Sequence, residues 1–217
     1  MITLKGAFIN LGAGLLGALP NIIIFQFNPE TVSRTPSLVW PPVPPKGSGT
    51  ADATQQPAEP SESYSFSLRL DASDQLAQGN VDAAANGILP ALSALEMLMI
   101  PRSSLTIDLP GLAKIKKIFV NPPVKLNNIL FFWGPFRILP VVVTQMSISE
   151  TEYDQLLNPV RAEVSVSLDV LTTSQLDEEA RLARGAYAYS RGVKEVMAAL
   201  NLANAAQLVG GTFSLPF

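Results

Sequence analysis

Two of the side chains that proteins use most for catalysis and metal binding, histidine and cysteine, do not occur in these 217 residues. Without histidine there is no Ser-His-Asp triad, no imidazole metal ligand and no histidine pH switch. Without cysteine there is no disulfide framework, thiol nucleophile, iron–sulfur cluster or thiolate zinc site. Acid–base chemistry would fall to Asp, Glu, Lys, Tyr or Ser, and their spacing assembles no site. Glu150, Glu152 and Asp154 cluster at a predicted strand-to-strand turn, which reads as a solvated turn before it reads as a catalytic pair. No carboxylates stand at calcium-loop spacing, so no metal is expected. Gly12-x-Gly14-x-x-Gly17 fits a phosphate-binding pattern, but it precedes a strand instead of following one and opening a helix. Lys114, Lys116 and Lys117, with Lys125 nearby, form a basic patch, read as a solvated loop or a contact for an acidic partner surface. A net charge of −3 is not that of a general nucleic-acid binder. No catalytic, cofactor-binding or metal-binding residue is assigned, and the chain is expected not to be an enzyme.

The informative polar residues are serines. Ser63, Ser65, Ser67, Ser147, Ser149, Ser165 and Ser167 fall on predicted strand faces. They describe either a plain solvent face or the lining of a wide channel through which cargo slides without sticking. The second reading singles out Ser65, Ser67, Ser147, Ser165 and Ser167. Trp133, beside Phe131 and Phe132, belongs either to the core or to a subunit contact.

The elements that carry these residues follow from periodicity. Tyr64, Phe66, Leu68 and Leu70 alternate with Ser63, Ser65, Ser67 and Arg69, the period of a half-buried strand. Ala162, Val164, Val166, Leu168 and Val170 alternate with Arg161, Glu163, Ser165, Ser167 and Asp169 in the same way. Residues 2–9, 21–27, 129–133 and 141–148 supply further strands, the fourth with Gln145, Ser147 and Ser149 on one face. Residues 88–99 switch to helical spacing, with Ile88, Leu92, Leu95 and Met99 on one stripe and Pro90 in the first turn. A last helix is predicted with Ser174 as its cap and Asp177, Glu178 and Glu179 in its first turn. Its apolar stripe is Leu176, Ala180, Ala183, Tyr187, Met197 and Leu200. Gly185 and Gly192, on one face, would admit a close neighbour.

Residues 41–62 are Pro-rich and read as a flexible insertion. Residues 6–29 carry no charge, yet Gly12, Gly14, Gly17 and Pro20 interrupt them, so a folded segment is expected and not a signal peptide or membrane span. Charged residues are 15% of the chain against a usual quarter, too few to cover its surface generously. Some apolar surface is therefore expected against partner subunits or a membrane.

The segment Asn21-Ile-Ile-Ile-Phe-Gln-Phe-Asn-Pro-Glu-Thr-Val-Ser-Arg-Thr35 resembles the opening signature of the contractile injection system tube-type family. Ser65–Asp71, the Ile-Leu-Pro-x-x-x-Ala-Leu-Glu helix at 88–96, Phe131-Phe-Trp-Gly134, the 142–149 strand and Pro159–Val164 continue the likeness in order. The resemblance implies a mainly β fold with α, a phage tail-tube-like antiparallel β-barrel or sandwich with one packed helix. This β domain would span 1–172, followed by a C-terminal helix and apolar tail over 173–217. Six copies would form a homo-oligomeric ring that connects the spike hub to the inner tube and templates tube assembly, in contact with other baseplate proteins.

The same resemblance leaves open that the chain is the inner tube subunit itself. It implies assembly in the cytoplasm and then a place in the particle, released or membrane-anchored, with no nucleic acid bound and no direct membrane insertion. Many relatives append a LysM peptidoglycan-binding domain, whereas a LysM-lacking variant is expected here. Asn28, Pro29, Glu30 and Arg34 are the candidates for an inter-subunit or inter-layer loop, with Trp133 at the core or seam. The alternatives outside the family are a monomeric small-ligand-binding β-barrel and an exported surface protein.

Overall fold

The computed structural model describes residues 4–11, 21–38, 59–100 and 128–208. The Gly12–Gly17 pattern, the Lys114–Lys125 patch, most of the Pro-rich insertion and the final apolar tail lie outside the described residues. The strands are β1 (Ala7–Asn10), β2 (Asn21–Ile24), β3 (Val32–Ser37), β4 (Ser61–Asp71), β5 (Ile129–Phe132), β6 (Ile138–Tyr153) and β7 (Pro159–Val170). The helices are α1 (Ser73–Ala77), α2 (Val81–Asn86), α3 (Leu89–Glu96) and α4 (Arg181–Leu208). The strands form one sheet in the order β2-β1-β5-β6-β7-β4-β3, with every pairing antiparallel.

The fold is thus mainly β with α, as expected, but the strand ladder does not close into a barrel. It ends at β2 on one side and β3 on the other. The sheet nevertheless curls until its two ends meet. Phe8 on β1 lies 6.3 Å from Phe66 on β4, ring centre to ring centre, although three strands separate them in the sheet. Phe25, just past β2, touches both rings at 5.1 and 5.9 Å. Phe131 and Trp133 complete the stack, with Phe131 fully buried. Burial of this aromatic set and of the inward Val and Leu of β4, β6 and β7 drives the curl, at roughly 25 cal/mol per Å² of apolar surface removed from water.

Residues 25–31 cross the open seam from β2 to β3, and their polar side chains do what a further strand would do. Gln26 Nε2 donates to the Asp71 carbonyl at 2.5 Å, and the Asp71 N–H donates to Gln26 Oε1 at 2.9 Å. On the other side Asn28 Nδ2 donates to the Leu4 carbonyl at 2.8 Å, and Asn28 Oδ1 accepts the Gly6 N–H at 2.9 Å. Gly6 must be glycine because a Cβ there would lie 2.6 Å from the Phe25 ring and 2.9 Å from Trp133.

The period-two readings of β4 and β7 hold residue by residue, with Ala162, Val164, Val166, Leu168 and Val170 all buried. On β6 the parity changes. Leu139, Val141 and Val143 point inward, then a register irregularity between Val143 and Gln145 leaves Met146 and Ile148 as the inward residues. Thr144 is the extra residue, and its hydroxyl donates to the Ser167 carbonyl at 3.2 Å.

The helices depart more from expectation. Two short ones, α1 and α2, precede α3, where a single middle helix was predicted. The α3 region buries Ile88, Leu92, Leu95 and Leu98, while Met99 is exposed, because the chain after Glu96 leaves helical phase in a turn. α4 starts at Arg181, not at Ser174, whose hydroxyl instead bonds that of Thr172 at 3.0 Å in a turn. Leu176, Ala183 and Ala186 cover Leu130 on the outer face of β5, so that strand is buried on both faces. Met197 and Leu200, expected in the same buried stripe, are 44% and 53% exposed. A Cβ on Gly185 or Gly192 would meet nothing within 4 Å, so among the described residues neither admits a close neighbour. The Pro-rich insertion ends earlier than expected, since Ser61 and Glu62 already belong to β4.

Gln26→Ala would leave the backbone N–H and C=O of Asp71 without their seam partner. We expect it to lower the unfolding free energy by about 1–3 kcal/mol, read as a shift of the denaturant midpoint.

Candidate functional site

Alternation places rows of uncharged polar side chains, mostly serine hydroxyls, across four neighbouring strands. Ser33, Ser65, Ser167 and Gln145 stand opposite one another across β3, β4, β7 and β6, and Ser67, Ser165 and Ser147 form the next row. The five serines singled out from the sequence therefore share one face, opposite the aromatic core. Ser67 and Ser165 hydroxyls lie 3.0 Å apart. Ser33 and Gln145 extend the face. Gln145 was legible beside Ser147, whereas Ser33 was not, because β3 is short and only Val32 marks its inward side.

Ser33, Ser65, Ser67, Ser165 and Ser167 of this face, with Ser149, line an open concavity of about 1020 Å³ that also takes in Asn28, Pro29 and Glu30 on one side and Thr151 and Glu152 on the other, while Gln145 and Ser147 lie beside it. Charged side chains flank the serine rows at both ends: Arg69 opposite Glu163, with Arg161 bonding Asp71 at 2.8 Å and Glu152 at 2.6 Å, at one, and Asp169 opposite Ser63 at the other. Hydroxyls both donate and accept and carry no charge, so the serine rows between these charged ends hold water without attracting ions of either sign. Among the described residues no three carboxylates gather as a metal site would need. Glu150, Glu152 and Asp154 do not converge. Asp154 Oδ1 accepts the N–H groups of Leu156 and Asn158, both at 2.8 Å, which makes the predicted solvated turn.

The loop candidates separate into two places. Asn28 is committed to the seam, Pro29 and Glu30 sit at the rim, and Arg34 lies across β3 in a second groove with Trp133. That groove, of about 680 Å³, runs between the start of β4, the 134–137 turn and α4. Trp133 is half-buried, stacked on Phe131 at 6.0 Å, so it is both core and groove wall.

A charged clasp that periodicity did not reveal holds α4 here. Lys194 Nζ donates to Glu62 at 2.5 Å, Tyr64 Oη donates to the same carboxylate at 2.8 Å, and Arg34 pairs with it from β3. Ser190 Oγ donates to the Ile138 carbonyl at 2.7 Å and accepts its N–H at 3.1 Å. Burial alone would raise the Glu62 pKa. The bonds from Lys194 and Tyr64, with the charges of Lys194 and Arg34, outweigh it and hold the carboxyl below its ordinary 4.5. Burial, and then the Glu62 carboxylate, push the Tyr64 phenol well above its usual value.

The family model described as contractile injection system tube protein matches residues 17–179. No curated protein matches the chain.

A carboxyl with a lowered folded-state pKa stabilises the fold above its unfolded value and loses that contribution as pH falls through the folded one. Stability should therefore decline as pH drops below about 4.5. Glu62→Gln should cost about 1–2 kcal/mol at neutral pH and flatten this acid limb, both read from urea melts at a series of pH values.

Proposed function

Because the chain belongs to the contractile injection system tube protein family, we propose that it is a non-catalytic ring subunit. Six copies surround a bore with the hydroxyl faces of β3, β4, β7 and β6 turned inward. The observation that carries this reading is that face itself: uncharged at its centre, four strands wide and concave, in a chain whose family is one of structural tube proteins and not of enzymes. Cargo passing the centre of such a wall meets water held by hydroxyls, with the fixed charges confined to its two ends. The outer edges of β2 and β3, without a strand partner among the described residues, supply backbone groups that neighbouring copies can use.

We place the ring between the spike hub and the inner tube, where it templates tube assembly beside other baseplate proteins. α4 supports an adaptor, since it begins at Arg181, past the matched residues, and adds an element to the tube-like sheet. The second reading, the inner tube subunit itself, is supported by the family description. A small-ligand barrel fits less well, because aromatic rings fill the interior where a ligand would sit. The chain is a component of a contractile injection system particle, and among the described residues no helix is long and apolar enough to cross a membrane. Assembly in the cytoplasm precedes its place in the particle.

Cryo-electron microscopy of the particle tests the ring. Six copies with Ser65, Ser67, Ser147, Ser165 and Ser167 facing the bore are expected, in one layer for an adaptor and in many for a tube subunit. Those serines facing bulk solvent, with no neighbouring copy beside the sheet, would overturn it. Replacing Ser67 and Ser165 with alanine should leave the melting temperature within about 2 °C, because exposed substitutions of this kind cost under about 0.5 kcal/mol.

A further inference from the structure

α4 outruns the body that it packs on. Its last anchors are Arg191, 3.5 Å from Glu59, and Lys194, at Glu62. Every residue from Lys194 to Leu202 is exposed. Val196, Met197, Leu200 and Leu202 stand 44–67% open to solvent. No charged side chain occurs anywhere in residues 196–217. From Val196 to Leu208 the helix extends for about 20 Å at ~1.5 Å per residue. Helical stability in water comes mainly from packing an apolar face, and an exposed helix normally carries charges on its other side. Among the described residues the stretch from Val196 to Leu202 has no covered face, and it carries no charge, so it is built to be covered.

Among the described residues the same molecule exposes an apolar surface that no element covers. On the outer side of the sheet, Ile9 of β1 borders the small cluster of Leu130, Leu176, Ala183 and Ala186 beneath the start of α4. Ile22 stands opposite Ile9 on β2, and Ile22 and Ile24 are 54% and 64% exposed. The outer face of β1 and β2 is thus an uncovered continuation of a cluster that a helix already covers over β5. What would complete it is a second helix of small and aliphatic residues without charge.

We propose that the distal half of α4 packs on the Ile22–Ile24 face of the adjacent copy. This rests on the ring reading and specifies a head-to-tail contact within it. The surface that gives and the surface that receives are different, which is the condition for a heterologous interface that closes into a ring. Neither surface carries a charge that the other would have to desolvate.

The absence of native cysteine makes the test direct. Single-cysteine variants Ile24→Cys and Leu200→Cys, both at exposed positions, are mixed in assembling particles and oxidised. A cross-linked species of twice the chain mass, present in the mixture and at least tenfold weaker in either variant alone, is expected. The double variant should give a ladder of linked chains. An intramolecular link in the double variant, or no link in rings that have formed normally, would overturn the arm while leaving the ring intact. Absence of rings in particles of the unsubstituted chain would overturn the ring reading and the arm with it. As an independent check, Leu200→Glu should weaken ring assembly at least tenfold while the melting temperature of the unassembled chain stays unchanged. Normal assembly of that variant would count against the arm.

Discussion

The structure depends on closing a sheet whose two edges never pair. Curling brings Phe8 and Phe25 onto Phe66, and this buries the aromatic core only if the seam between β2 and β4 holds. A strand there would complete a barrel and remove both edges. Instead the chain crosses the gap once, and Gln26 and Asn28 bond backbone groups on either side. Lys5 and Arg69, on either side of the gap, each come within 6 Å of the Phe27 ring. The core is sealed while the edge ladders stay free, which a building block requires and an isolated barrel does not.

Much of this was legible where one face of a strand is buried. Tyr64-x-Phe66-x-Leu68-x-Leu70 and Ala162-x-Val164-x-Val166-x-Leu168 fix both register and facing, because a slip of one residue would put the whole apolar set in water. The hydroxyl face followed as their complement. The signature at Phe25-Gln-Phe-Asn28 was visible as a pattern, but its role was not. Side-chain amides that imitate backbone pairing leave no periodicity, and Asn28 reads equally well as a contact residue for another subunit.

The errors also have physical causes. Asp177, Glu178 and Glu179 after Ser174 look like a helix start, yet Thr172 and Gln175 hold this segment in turns until Arg181. The Glu62 clasp joins residues more than a hundred positions apart, which no local pattern reports. Met197 and Leu200 share a helical stripe with Ala183, but the surface beneath α4 ends before they arrive. Periodicity reports which side of a helix is apolar and is silent on where its support stops.

The irregularity at Thr144 gives β6 something like a reading frame. Up to Val143 the odd-numbered residues face the core, and from Gln145 onward they face the serine side. Exchange of one outward side chain for another is a local event on this strand. Gain or loss of one residue beyond the bulge, between Gln145 and Ile148, is not, since it would reverse the facing of every later residue of the strand, whereas loss of Thr144 itself would only make the ladder regular, with Val143 still opposite Leu168 and Gln145 opposite Ser167. Lineages of this chain should therefore vary freely in spelling along the far half of β6 while keeping its length.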